Sequence, residues 1–425
     1  MTDTPARDPR RDRPTGTHTP MLYDLHELQR SILAPFTAFT ETGSQLFSNP
    51  YSPLAYTPLS RQFAAAYELA HRVGKDYEKP AWNLPATRIG NREVAVHEDI
   101  ALAQPFCRLV HFRRETRRQD PCVLLVAPLS GHHATLLRDT VRALLPGHDV
   151  YVTDWVDARM VPAAEGTFGL DDYVRYIQTF LRHLGPDTHV ISVCQPTVPV
   201  LAAISLLASA GDSCQPRSMV MMGGPIDTRK SPTQVNRLAT TKPYEWFEDN
   251  LIHRVPARYP GAGRLVYPGF LQHAGFVAMN PDRHLKSHYD FYLHLLRGDD
   301  SDAEAHRRFY DEYNAVLDMP ARFYLDTIRI VFQEFRLPRG TWTIDGEQVD
   351  PAAIRKTALL TIEGELDDIS GEGQTHAAHQ LCANLSPSMR EVHTAADCGH
   401  YGIFSGRRWR QQICPKIAAF IRAHA

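Results

Sequence analysis

The spacing of apolar positions divides the chain into three stretches. From Met21 to about Tyr77 the period is helical, as in Leu25-x-x-Leu28 and Phe63-Ala-Ala-Ala-Tyr-Glu-Leu-Ala-His-Arg-Val73, with a proline-rich loop from Asn49 between the two runs. Alternating residues then predict strands at Glu93–His97 and Cys107–Phe112. Beyond them strands and helices take turns. Cys122–Ala127, Asp149–Thr153, His189–Val193 and Arg217–Met222 read as strands, with helices at Leu136–Leu145 and Tyr173–Leu184. After a long interval Thr357–Gly364 and Arg390–His393 resume the strand pattern, and Trp409–Ala423 closes the chain as a helix. Such alternation predicts an α/β protein with a mostly parallel sheet covered by helices on both faces.

The interval from about Ile226 to Asp350 has a different texture. Its patterns are helical, as in Ala321–Phe335, and residues 241–340 hold 17 of the 40 Phe, Tyr and Trp of the chain. Most of these aromatics are expected in a core. A few are expected to line a substrate groove, because binding sites are usually walled by apolar and aromatic side chains. The expected organisation is a disordered tail over 1–20, helices and the first part of the core over 21–225, a helical cap over 226–350, and the rest of the core over 351–425.

Composition narrows the function. A formal net charge of -2 over 425 residues gives no electrostatic case for nucleic acid or an anionic membrane. The seven cysteines are scattered without a Cys-x-x-Cys pair, which suits a reducing cytosol better than a disulfide framework or a zinc site. No run approaches the roughly 20 apolar residues of a membrane span. Met1–Pro20 mixes Arg, Asp, Thr and Pro, unlike a signal peptide. The expectation is a soluble cytoplasmic protein.

Chemistry is concentrated at one junction. Thr188-His-Val-Ile-Ser-Val-Cys194-Gln-Pro-Thr runs from an apolar strand straight into an apolar helix, the place of the nucleophile elbow that many hydrolases write Gly-x-Ser-x-Gly. Here it reads Ser192-x-Cys194-x-Pro196. A free cysteine is most often simply a buried apolar side chain; what argues otherwise is the company Cys194 keeps. An acid follows at the exit of a later strand, in Gly364-Glu-Leu-Asp367-Asp368, and a glycine-flanked histidine follows that, in Cys398-Gly-His400-Tyr-Gly. Nucleophile, acid, histidine is the hydrolase chain order. Asp367 is preferred as the acid, with Asp368 as rival and Asp397 behind it; Cys398 is read as packing. Backbone N–H groups of Gln195 and of Ser130, or its neighbour Leu129, are expected to hold an oxyanion, and the helix N-terminus with His400 to favour the thiolate. His284/His288 and His376/His379 have helical spacing but lack a metalloprotease glutamate, so no metal is expected. No phosphate loop implies a nucleotide cofactor.

With these residues in view, the chain resembles the intracellular polyhydroxyalkanoate (poly-3-hydroxybutyrate) depolymerases. Val152-Thr-Asp154-Trp155, Tyr267-Pro-Gly-Phe-Leu-Gln272 and Gly275-Phe-Val-Ala-Met-Asn280 carry the likeness beyond the three reactive residues. The resemblance implies an α/β-hydrolase fold, a Cys194–Asp367–His400 triad, and a cysteine acyl-enzyme acting on stored polyester granules, which would be its partner in the cytoplasm. Related polymer synthases keep Gly-x-Cys-x-Gly, from which Ser192 and Pro196 depart. The readings kept beside the depolymerase are a synthase, a thiolytic acyltransferase using coenzyme A as acceptor rather than as bound cofactor, and a non-catalytic granule protein. A homodimer is compatible with all of them.

Overall fold

The computed structural model describes residues 21–425 apart from Asn280; the tail expected over 1–20 lies outside the described residues. Nine strands form the main sheet: β1 (Ala86–Ile89), β2 (Arg92–Gln104), β3 (Cys107–Arg114), β4 (Cys122–Val126), β5 (Asp149–Trp155), β6 (Thr188–Val193), β7 (Ser218–Met222), β13 (Ala358–Gly364) and β14 (Arg390–Ala395). Between β7 and β13 come the short strands β8 (His253–Arg254), β9 (Leu265–Tyr267), β10 (Met319–Pro320), β11 (Thr343–Ile344) and β12 (Glu347–Gln348). The order across the main sheet is β1-β2-β3-β5-β4-β6-β7-β13-β14. β5, β4, β6, β7, β13 and β14 are mutually parallel, and β1–β3 extend the β5 edge antiparallel.

The parallel strands read as unbroken apolar runs because both faces are covered. Side chains one apart enter opposite cores. Leu124, Val126, Val190, Met219, Met221 and Leu359 pack on one face. Val123, Leu125, Ile191, Val193, Val220, Met222, Leu360 and Ile362 pack on the other. On the second face lies α3 (Arg138–Leu144), and on the first lie α4 (Leu170–Leu184) and α5 (Thr197–Ser209). α4 turns an apolar stripe inward, whereas every residue of α5 from Thr197 to Leu207 is buried. A helix apolar all round is a core helix. It fixes the strand that precedes it, β6, in the middle of the molecule. Parallel strand, sharp turn and buried helix, with later strand exits converging on that turn, make this an α/β-hydrolase fold.

Residues between β7 and β13 leave the sheet and cover its C-terminal end. They include α6 (Gln234–Thr241), α7 (Tyr244–Leu251), α8 (Gly269–Met279), α9 (Pro281–Arg297), α10 (Asp300–Asn314) and α11 (Ala321–Asp326). The insertion is not wholly helical, contrary to the expectation from its pattern. β10-β9-β8 form a small antiparallel sheet and β11-β12 a hairpin. Strands of two or three residues are too short to show a period. The helix expected over Ala321–Phe335 also changes character: α11 passes into a π-helical turn, Thr327–Gln333, and the run ends where Phe335 turns left-handed.

The N-terminal helices α1 (Met21–Ser48) and α2 (Ser60–Gly74) pair with each other and lean on the insertion. Glu68 pairs with Arg307, and Arg72 and Lys75 pair with Asp311. No helix among the described residues is long and apolar enough to cross a membrane.

Candidate active site

Cys194 sits on the turn between β6 and α5 with a left-handed backbone, φ 66°. That region is costly for a residue with a Cβ and is held only where the surroundings enforce it. Here the Cys194 N–H donates to the Met222 carbonyl at 2.7 Å and its own carbonyl accepts from Thr197 at 3.1 Å. Pro196 takes the N-cap position, where its missing N–H leaves no helical bond unmade. The turn is tight enough to dictate its neighbour. A Cβ on Gly224 would stand 1.8 Å from Thr197 Oγ1 and 2.6 Å from the Cys194 carbonyl oxygen. Gly224→Ala is therefore expected to lower the melting temperature and to lose ester hydrolysis together. Overpacking of this kind typically costs about 1–3 kcal/mol. A variant with unchanged melting and unchanged rate would show that Gly224 does not set the elbow.

Two strand exits bring the other residues to this turn. After β13 the chain bends so that Asp367 Oδ1 accepts from the N–H groups of Ile369 (2.9 Å) and Ser370 (2.8 Å). Its other oxygen, Oδ2, accepts from His400 Nδ1 at 2.7 Å, and both side chains are buried. The remaining ring nitrogen, Nε2, is left for Cys194, which lines the same cavity and acts on this imidazole through its charge. Burial opposes charge on this imidazole, but negative charge on Cys194 and then Asp367 outweighs it. His400 accordingly holds its proton well above the usual histidine range. Asp368 is exposed, and Asp397 is exposed and pairs with Arg408. Cys398 is buried, with its sulfur directed to the Gly399 carbonyl.

The loop after β4 is fastened from both sides. The Ala127 N–H donates to Thr153 Oγ1, and the Ala127 carbonyl accepts from Trp155 Nε1 and Tyr173 Oη. The Val152–Trp155 string thus fixes the start of Pro128-Leu-Ser130-Gly131. Leu317 N–H donates to the Gly131 carbonyl and ties the same loop to the insertion. Neither the Gln195 nor the Ser130 backbone N–H has an acceptor among the described residues.

A cavity of about 470 Å³ opens beside Cys194 and His400. The core supplies Leu129, Ser130 and Gln195, and the insertion supplies Phe247, Phe276, Phe323, Phe332 and Ile328. The histidine pairs with helical spacing stand apart from it. His284 bonds Tyr310 and Tyr313, while His376 and His379 share the Thr361 hydroxyl. Among the described residues, three ligand-type side chains converge only at His294, Asp299 and Asp302, a half-buried imidazole and two exposed carboxylates; none of the three lines the Cys194 cavity.

Some supporting residues escape the sequence pattern. Thr375 Oγ1 accepts from Gly224 N–H and donates to the Gly224 carbonyl, bracing the elbow from the far side. Glu363, buried on β13, accepts from the N–H groups of Gly373, Thr375 and His376. A carboxylate within a strand buried throughout is the one signal for it in the sequence.

Comparison with known proteins adds a decisive observation. Residues 223–425 match the family model described as PHB de-polymerase C-terminus. That stretch, just under half of the chain, is similar to the C-terminal part of PHB depolymerases. The protein is an ester-hydrolysing enzyme of the α/β-hydrolase type. Asp367, His400 and Gln272 fall within the matched stretch, and Cys194 and Ser130 precede it. A comparison with curated proteins gave no match. Similar solved structures include a monoacylglycerol lipase of Paleococcus ferrophilus, 14% identical, covering 72% of this chain and 95% of that one, with a TM-score of 0.40. A meta-cleavage product hydrolase of Pseudomonas fluorescens IP01 is also 14% identical, covering 80% and 98%, with a TM-score of 0.42.

Proposed function

We propose that the protein is a depolymerase that hydrolyses the ester bonds of stored poly-3-hydroxybutyrate through a thioester on Cys194. One arrangement supports this reading most: Cys194, on a strained turn, lines one cavity with His400, whose Nδ1 donates to buried Asp367, in a chain whose residues 223–425 match the PHB de-polymerase C-terminus. His400 takes the thiol proton, and the thiolate attacks an ester carbonyl carbon. The carbonyl electron pair moves to oxygen, where the N–H groups of Gln195 and Ser130 receive it. Collapse breaks the C–O bond, and the departing alkoxide takes the proton from His400. Water, deprotonated by His400, then attacks the thioester and expels the Cys194 thiolate. One ester and one water become one acid and one alcohol, and no cofactor takes part. Incubation with native amorphous granules, with the soluble acids identified, tests this. Release of 3-hydroxybutyrate or its oligomers without coenzyme A is expected. Product formation only with coenzyme A, as acyl-CoA, would replace hydrolysis by thiolysis, and no product would remove the reading.

An insoluble substrate must be met at its surface. Among the described residues, 14 of the 22 exposed large apolar side chains fall between Leu22 and Val73, on α1, α2 and the turn joining them. Between Ser31 and Ser60 the only charged side chain is Glu41. Binding to anionic lipid calls for clustered Lys and Arg, so this face suits a neutral, apolar phase such as amorphous polyester in the cytoplasm. Replacing Ile32 and Phe36 together by Asp should lower the ratio of granule activity to soluble-ester activity on the order of tenfold, from lost apolar contact alone. An unchanged ratio, with a dimer that dissociates in the variant, would assign the face to a second copy of the chain instead.

A further inference from the structure

The cavity beside Cys194 is mainly apolar, and one polar residue of its lining stands out. Gln272, on α8, is 4% exposed. Its amide nitrogen donates to the main-chain carbonyls of Tyr267 at 3.0 Å and Leu317 at 3.4 Å. Only the NH₂ end of an amide can serve two carbonyls, so the orientation is decided by its partners. Oε1 is left buried with no donor among the described residues. It lies against the loop that bears Ser130. A Cβ on Gly131, whose φ is 105°, would stand 2.5 Å from this oxygen. Glycine there lets an acceptor press against the loop whose N–H groups face the reaction. Gln195 and Ser130 line the same cavity, and both ends of the Gln195 amide are also unpaired among the described residues.

An acceptor with no donor places a condition on the ligand. The interior of a polyester chain has ester oxygens and hydrocarbon, which donate nothing. At neutral pH the acid end is a carboxylate, again without a donor. Only the hydroxyl end carries an O–H. In a terminal 3-hydroxyacyl unit that hydroxyl is two carbons from the carbonyl carbon. With the carbonyl at Cys194 and its oxygen toward Gln195 and Ser130, it would stand in the cavity that Gln272 also lines. The Gln195 NH₂, by contrast, can be served by any ester oxygen.

We propose that Gln272 Oε1 accepts a hydrogen bond from the free 3-hydroxyl of the acyl unit held at Cys194, so that the enzyme recognises the hydroxyl-terminated end of its polyester and releases monomers from that end. The proposal rests on the depolymerase reading above. It extends that reading from a bond type to a chain end. Sites that hydrogen-bond a substrate hydroxyl discriminate strongly against analogues lacking it, because the buried partner is then left unpaired.

Three soluble probes test it: the 4-nitrophenyl esters of 3-hydroxybutyrate, 3-methoxybutyrate and butyrate. The full-length protein should favour the 3-hydroxy ester over the 3-methoxy ester in kcat/KM by about 100-fold or more. In Gln272→Leu the ratio should fall close to one, and Gln272→Met serves if the leucine variant does not fold. A ratio near one in the unmodified protein, or one that survives in a folded variant, would overturn the proposal. An arm without substitution uses trimers of 3-hydroxybutyrate with free or O-acetylated hydroxyl ends. Free trimers should be cleaved to monomer well ahead of capped ones; equal rates would overturn it too. Failure to hydrolyse any of these esters would remove the depolymerase reading itself, and the inference with it.

Discussion

Cys194→Ala is expected to fold as the unmodified protein does and to lose ester hydrolysis by about 10⁴-fold or more, the scale on which nucleophile deletions act in hydrolytic triads. Folding should survive for a local reason. Alanine is smaller than cysteine, and the contacts that enforce the turn are made by backbone: the Cys194 N–H to Met222 and its carbonyl to Thr197. The left-handed φ of 66° is no worse for alanine than for cysteine. Chemistry has no such substitute. Among the described residues, Cys107, Cys382, Cys398 and Cys414 are buried, and burial raises the thiol pKa of each. Circular dichroism and a thermal melt, beside a rate on a soluble ester, separate the two effects. Near-normal turnover in a folded Cys194→Ala protein would mean that another group carries the acyl transfer.

Asp367→Asn should be the next most damaging change, costing roughly 10²–10⁴-fold; the upper figure is the serine-triad precedent, and a thiol, being more acidic than a serine hydroxyl, depends less on its base. Asparagine can still accept from Ile369 and Ser370 through its oxygen, so the bend after β13 persists. Its NH₂ then faces His400 Nδ1 and requires that nitrogen to accept. The ring proton moves to Nε2, where it blocks uptake of the Cys194 proton. Asp368→Asn should change the rate little, because its carboxylate is exposed. Both variants are best compared over a pH series on one soluble ester. If Asp368→Asn is the more damaging of the two, the Asp367–His400 hydrogen bond is not what prepares the base.

How far the sequence discloses this arrangement depends on what each feature is made of. β6 and α5 are legible because burial on both sides leaves an unmistakable apolar run, and Cys194 interrupts it at the point where strand gives way to helix. Asp367 and His400 are legible as residues at strand exits in the right order. Choosing Asp367 over Asp368 depends on the two N–H groups of Ile369 and Ser370 that clamp one carboxylate, a property of the turn rather than of composition. Gly224 and Thr375 are 151 positions apart, and only the folded sheet joins them. The short strands β8 to β12 have fewer residues than one period needs. The apolar residues of α1 and α2 show helical spacing, yet spacing cannot tell an inward face from one left exposed. Gln272 is visible as part of a string, but its unpaired oxygen exists only because Tyr267 and Leu317 take its nitrogen.

The central claim is a covalent acyl group on Cys194. Rapid acid quench during turnover of 4-nitrophenyl 3-hydroxybutyrate, followed by digestion and mass spectrometry, tests it directly. The expected result is one 3-hydroxybutyryl unit on the peptide containing Cys194, released by neutral hydroxylamine as a thioester should be, and absent from Cys194→Ala. An acyl group found on Ser130 or any other residue, or steady turnover with Cys194 unmodified at every quench time, would contradict it.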